Sequence, residues 1–80
     1  MFKPRSIPMH ALETVELELP ELEAMRLCDV EGLQQSEAGE RMGVSRGTVQ
    51  RYLQRGRAKL VGALVEGRAI VIHAGESVEV

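Results

Sequence analysis

One stretch constrains the fold of this chain more than any other: Leu33–Leu60, LQQSEAGERMGVSRGTVQRYLQRGRAKL. It reads as two helices meeting at a tight corner. The first covers about Gln35 to Met42, the corner is Gly43 and Val44, and Ser45 opens a longer second helix. Ala38, Met42, Val44, Val49, Tyr52 and Leu53 are apolar, and the helical ones recur at three- and four-residue spacing, the period of a helix with one buried face. Gly43 follows the last apolar residue of the first helix, where a left-handed residue commonly ends a helix. Ser45 is placed to accept an orphan backbone N–H of the next helix. Gly39, one turn before the corner, carries no β-carbon to hold the helices apart, at a propensity cost of ~1 kcal/mol relative to Ala. Small residue, glycine corner, hydroxyl cap and inward apolar face make the helix-turn-helix pattern.

The outer face of the second helix carries the chemistry. Between Ser45 and Leu60 stand Arg46, Arg51, Arg55, Arg57 and Lys59, with no Asp or Glu among them. Gln50 and Gln54 lie between, one turn apart. Arg and Gln are the side chains that read guanine and adenine edges in a major groove by paired hydrogen bonds. The same residues could form a solvated basic face on an ordinary helical hairpin. The coincidence of corner and charge segregation favours a DNA-reading helix.

Composition sets limits on this reading. Eighty residues allow one small domain with a marginal core. Phe2 and Tyr52 are the only aromatics, too few for a base-stacking platform or an aromatic RNA-binding sheet. The net charge of −2 opposes DNA binding, but its distribution answers in part. From Glu13 to Glu40 the chain holds Glu13, Glu16, Glu18, Glu21, Glu23, Asp29, Glu31, Glu37 and Glu40 against Arg26 alone, whereas the second helix is basic. A local patch can still steer a phosphate backbone, with modest, salt-sensitive affinity. Cys28 is the single cysteine, so no internal disulfide forms, and with His10 and His73 far away it makes no zinc site. It reads as a small buried hydrophobe. The sequence has no apolar run of membrane-spanning length and no signal-peptide core, so a cytoplasmic protein is expected.

Along the chain, residues 1–11 read as an extended arm with Lys3, Pro4, Arg5 and Pro8. Residues 14–19 alternate Val15, Leu17 and Leu19 with Glu16 and Glu18, a short strand with one buried face. Pro20 suits the first turn of a helix over 20–30, with Leu22, Met25 and Cys28 inward and Ala24 or Leu27 flanking. Glu21 and Glu23 near its start are expected as solvated charges at the positive helix end. Gly32 marks its exit, and Leu33 is a plug between helices. The basic helix continues over 45–66 to a stop at Gly67, with a seam of Val49, Leu53, Gly56, Leu60, Ala63 and Leu64. Gly56 on that seam suggests close helix packing. Residues 68–73 (RAIVIH) form a strand, and 74–80 a tail in which Val78 and Val80 could return. The two end strands pair either with each other or with a second chain, and a homodimer is expected from their edges and the apolar end of the long helix.

The stretch ELEAMRLCDVEGL–QQSEAGERMGVSRGTVQR–LQRGRAKL resembles region 4 of bacterial sigma factors and response-regulator helix-turn-helix domains. From FKPRSIPM through ALVEGRAIVI, about residues 2 to 73, the chain more closely resembles family one-three-four of the domains of unknown function, small prokaryotic proteins predicted to bind DNA. LEAMRL, EGL, AGERMGVSRGTVQR and ALVEG carry the likeness. The resemblance implies a mainly α, three-helix helix-turn-helix domain, sigma region-4-like, with short strands at both ends. By position it makes Ser45, Arg46, Thr48, Gln50, Arg51 and Gln54 groove-facing. Phosphate contacts fall to Arg55, Arg57 and Lys59, with Arg41 a further candidate. There are departures. Gln34 stands where the family usually has a capping Ser, and Ser36 is a poorer substitute. Gly39 replaces a usual Ala, which the steric argument tolerates. Gly47 removes a side chain from the outward first turn, and the basic leader common before FKP is not seen.

The expected function is therefore sequence-specific binding of duplex DNA through a major-groove helix, in a transcriptional regulator. Ser45, Thr48 and the helix N-terminal amides would hold a phosphate at the groove lip. Its alternative is a sigma-like interaction module docking on RNA polymerase or another acidic partner. No catalytic set, phosphate loop, metal motif or cofactor motif occurs in the sequence, so no enzyme is expected.

Overall fold

The computed structural model describes residues 13–73. Strand β1 spans Thr14–Glu18, helix α1 spans Leu19–Met25, α2 spans Gln35–Met42, α3 spans Arg46–Glu66 and β2 spans Ala69–His73. Over the described residues the protein is mainly α, three helices with a short strand at either end, in a small helix-turn-helix-like arrangement. The arm over 1–11 and the tail over 74–80 lie outside the described residues.

Each boundary has a local cause. β1 places Leu17 inward and Glu16 and Glu18 outward. It ends where Pro20 enters the first turn of α1 and the Glu21 carboxylate turns back to accept the Glu18 N–H at 3.0 Å. In α2 the Glu37 carboxylate accepts the Gln34 N–H at 2.9 Å, so Gln34 is the N-cap and Ser36 lies within the helix. This is the carboxylate half of a capping box, with Gln34 standing at the N-cap where the resemblance leads one to expect a hydroxyl. Gly43 closes α2 at φ +74°. The Val44 N–H then donates to the Gly39 carbonyl at 2.9 Å. Ser45 caps α3, its Oγ accepting the Thr48 N–H at 3.1 Å.

The first helix differs from the expected continuous helix over 20–30. After Met25 it widens into a π-helical segment, Arg26–Val30, closed by Glu31 N–H to the Arg26 carbonyl at 3.0 Å. The inward stripe moves accordingly. Ala24, Met25 and Leu27 are buried, while Leu22 and Cys28 are half-buried against them. Cys28 is thus not the buried hydrophobe expected of it. A widened turn offsets the side chains that follow it from the simple 3.6-residue period.

The core is Leu17, Ala24, Met25, Leu27, Ala38, Val49 and Leu53, with Leu33, Met42, Val44, Tyr52 and Leu60 packed on it. Along α3 the seam is buried at Val49, Leu53, Gly56 and Ala63, but Leu64 is exposed. Gly56 is where α1 crosses. A β-carbon there would lie 2.9 Å from Met25 Cε and 3.3 Å from Glu21 Cβ. Gly39 is tighter still: a β-carbon would meet the Val44 carbonyl oxygen at 2.7 Å. An alanine at 39 therefore forces the corner to shift, which is the close approach that a residue without a β-carbon was expected to allow. The two end strands pair with each other, in parallel, with Thr14 beside Ala69 and Leu17 beside Ile72.

Candidate nucleic-acid interface

The buried face of α3 fixes what the opposite face offers. With Val49, Leu53 and Gly56 inward, two adjacent rows point to solvent: Arg46, Gln50 and Gln54 at four-residue steps, and Gly47, Arg51 and Arg55 beside them. All six are exposed. A β-carbon on Gly47 would touch only Ser45 Oγ, at 4.0 Å, so the first turn presents a bare patch of backbone. Thr48 is half-buried at the edge of this face. Its hydroxyl lies 2.9 Å from Ser45 Oγ and accepts from Arg51 Nη2 at 3.4 Å. Ser45, Thr48 and Arg51 therefore form one short polar chain that sets the side of the helix on which the Arg51 guanidinium lies.

The five cations of α3 do not share one fate. Among the described residues, Arg46 and Arg51 have no acidic partner within ion-pair distance, and neither has Arg41 on α2. Arg55 remains largely in solvent with Glu21 Oε2 4.0 Å away. Arg57 and Lys59, expected as phosphate contacts, are both engaged by acids of the same chain. Arg57 grips Asp29 through Nε–Oδ2 at 3.2 Å and Nη2–Oδ1 at 2.6 Å. The Asp29 hydrogen bond raises the Arg57 guanidinium above its ordinary range. Lys59 Nζ donates to Glu21 Oε1 at 2.8 Å.

Glu21 overturns the expectation of a solvated helix charge. It is 1% exposed, the one buried charged residue among those described. Burial pushes its carboxyl up. The hydrogen bonds from Lys59 and the Glu18 amide, with the attraction of Lys59 and Arg55, outweigh that and hold it below the ordinary carboxylate range. The sequence held a partial signal. Arg55 and Lys59 flank the seam glycine at position 56, where a helix crosses closely enough for an acid on it to reach both. The Asp29–Arg57 pair left no such signal, because it depends on the crossing of two helices distant in sequence. Arg26 is likewise spent, bridging Glu23 and Glu31. Glu23 is held below the ordinary range by that bond.

An open cavity of about 700 Å³ lies beside the face, between the start of α2 and α3. Gln34, Gln35 and Ser36 line one side, Arg46 and Arg57 another, and Cys28 is among the apolar residues lining it. Burial pushes the Cys28 thiol up, which leaves it protonated and a poor nucleophile or metal ligand. Among the described residues no group of His, Cys, Asp or Glu is arranged to hold a metal ion. No helix there is long and apolar enough to cross a membrane. His73 ends β2, exposed, and His10 lies outside the described residues.

The sequence matches a family of known proteins. A family model described as "Protein of unknown function DUF134" matches residues 1–79. A UPF0251 protein of Methanosarcina mazei is 52% identical over 77 residues, 96% of this chain and 46% of the relative. One from Desulforudis audaxviator is 53% identical over 74 residues, 92% of this chain and 48% of the relative. One from Aeromonas salmonicida is 48% identical over 75 residues, 94% and 74% of the two chains. The chain spans less than half the length of the first two. No solved structure matches. The chain belongs to the DUF134 family.

Proposed function

We propose that this protein binds duplex DNA sequence-specifically by laying the N-terminal half of α3 in the major groove, as a cytoplasmic transcriptional regulator. The observation that supports this most is the pair of exposed rows on α3, with Arg46 and Arg51 free of acidic partners among the described residues. A helix offering Arg and Gln at four-residue steps matches the reach of base edges along a groove. Base contacts fall to Arg46, Gln50, Arg51 and Gln54, and the outer phosphate contact to Arg55. Lys59 keeps its structural partner and contributes none.

The active species under this reading is a homodimer in which a second copy joins along β2. Ile70, Val71 and Ile72 are exposed, and Ala69–Ile72 carries no charge that would repel its own copy. Half-sites would then lie about one helical turn, ~34 Å, apart.

The test is selection from random duplex at low salt, followed by Arg51→Ala on the winning site. A loss of about 1–3 kcal/mol confined to the preferred sequence, with relaxed choice at one base pair, is the expected result. Equal loss on every sequence makes Arg51 a phosphate contact. No binding to duplex at low salt favours the alternative, docking on RNA polymerase.

A further inference from the structure

The Asp29–Arg57 pair joins the π-helical segment to α3 in the fork-to-carboxylate geometry by which arginine also grips a phosphate. Both side chains are about half in water, at 50% and 43% exposure. Water reaches both partners, so the pair can open without leaving a buried charge behind. The Lys59–Glu21 pair contrasts with it, since the carboxylate there is wholly buried and has no other place to go. Of the two acid-bound cations, only Arg57 can exchange its partner without breaking the core.

The surroundings supply a destination. Arg57 lines the same open cavity as Arg46, facing Gln34, Gln35 and Ser36 at the start of α2. An anion at that mouth would meet Arg46, which has no acidic partner among the described residues, and a second guanidinium held back by Asp29. Resting on the DNA reading above, we propose that Asp29 is an autoinhibitory stand-in for a backbone phosphate. It occupies Arg57 in the free protein and yields it when duplex enters. The consequence is a built-in penalty on random DNA, where few other contacts offset the exchange, and a smaller relative penalty on the preferred site.

The experiment uses the purified chain and a labelled random duplex, titrated with salt. Four variants suffice: Asp29→Asn, Arg57→Ala, the two combined, and Glu66→Gln, which makes the same charge change at the far end of α3. Asp29→Asn is expected to bind about three- to tenfold tighter at low salt, with a log–log salt slope steeper by about 0.9, one additional phosphate. In the Arg57→Ala background the Asp29 change should do no more than Glu66→Gln does. The proposal is overturned if Asp29→Asn matches Glu66→Gln in affinity and slope, or if its gain survives without Arg57. Binding by the parent chain with no Asp29 effect leaves the DNA reading standing. Failure of every variant to bind overturns both.

Discussion

Removing either end of the Glu21–Lys59 pair should cost unequal amounts, and the inequality follows from exposure. Glu21 is 1% exposed and Lys59 31%. Lys59→Met leaves a carboxylate with no water, one backbone N–H at 3.0 Å and Arg55 at 4.0 Å. An uncompensated buried charge costs about 3–5 kcal/mol, and Arg55 moving closer brings this to the lower end. Glu21→Met loses the bond to the Glu18 amide, worth about 1 kcal/mol, and leaves an ammonium on a flexible stem that can reach water. A total near 2 kcal/mol is expected. Replacing both by Met removes charge and partner together, so the double variant should be more stable than Lys59→Met alone. A domain of this size has about 4–12 kcal/mol in all, so urea unfolding followed by circular dichroism resolves these differences, and Tm should shift by ~4–8 °C per kcal/mol. The pH dependence adds a second reading. In the parent chain the Glu21 carboxyl is depressed below its ordinary 4.5. Its contribution is therefore complete above that pH and is lost as pH falls through the folded value. Without Lys59 two of the interactions that lower the carboxyl are gone, so it rises relative to the parent and protonation relieves the variant sooner. The gap between parent and Lys59→Met should narrow as pH falls from 7 to 4. Additive single effects, within about 0.5 kcal/mol, and a gap constant with pH would refute the reasoning.

Two further outcomes are expected. Gly56→Ala should be close to neutral in urea unfolding, because a helix-propensity gain of ~1 kcal/mol offsets a shift of the flexible Met25 end. Gly56→Val drives a branched carbon toward Glu21 Cβ and should cost about 2 kcal/mol or more. Val71→Lys should abolish dimers in sedimentation equilibrium while leaving the helical circular-dichroism signal intact. A protein that is monomeric before the change removes the homodimer reading.

The helices around the corner were legible because their signals are local. Glycine at a left-handed position, serine before a polar turn and a 3.6-residue apolar period each act within a few residues. That is why α2 and α3 lie where the sequence places them. The π-helical segment was not legible, since LEAMRLCDV has the composition of an uninterrupted helix and no residue in it marks a widened turn. Strand pairing was visible as alternatives only, because Val15-Leu17 and Ile70-Ile72 declare an apolar face without naming a neighbour. The outward Arg46, Gln50, Arg51 and Gln54 followed from the buried seam. The engagement of Arg57 and Lys59 did not, because charge counted along one helix says nothing of acids carried in by another.

The side-by-side alignment of β1 and β2 has a consequence for how the molecule comes together. Their ladder joins the two extremes of the described chain, so it closes the largest loop in the structure and rewards the chain only after that entropy has been spent. The corner and its two helices can form first from neighbours in sequence. The clasp at the ends then closes last, and its amides should be the first to exchange with solvent deuterium while those of Val49 and Leu53 stay protected.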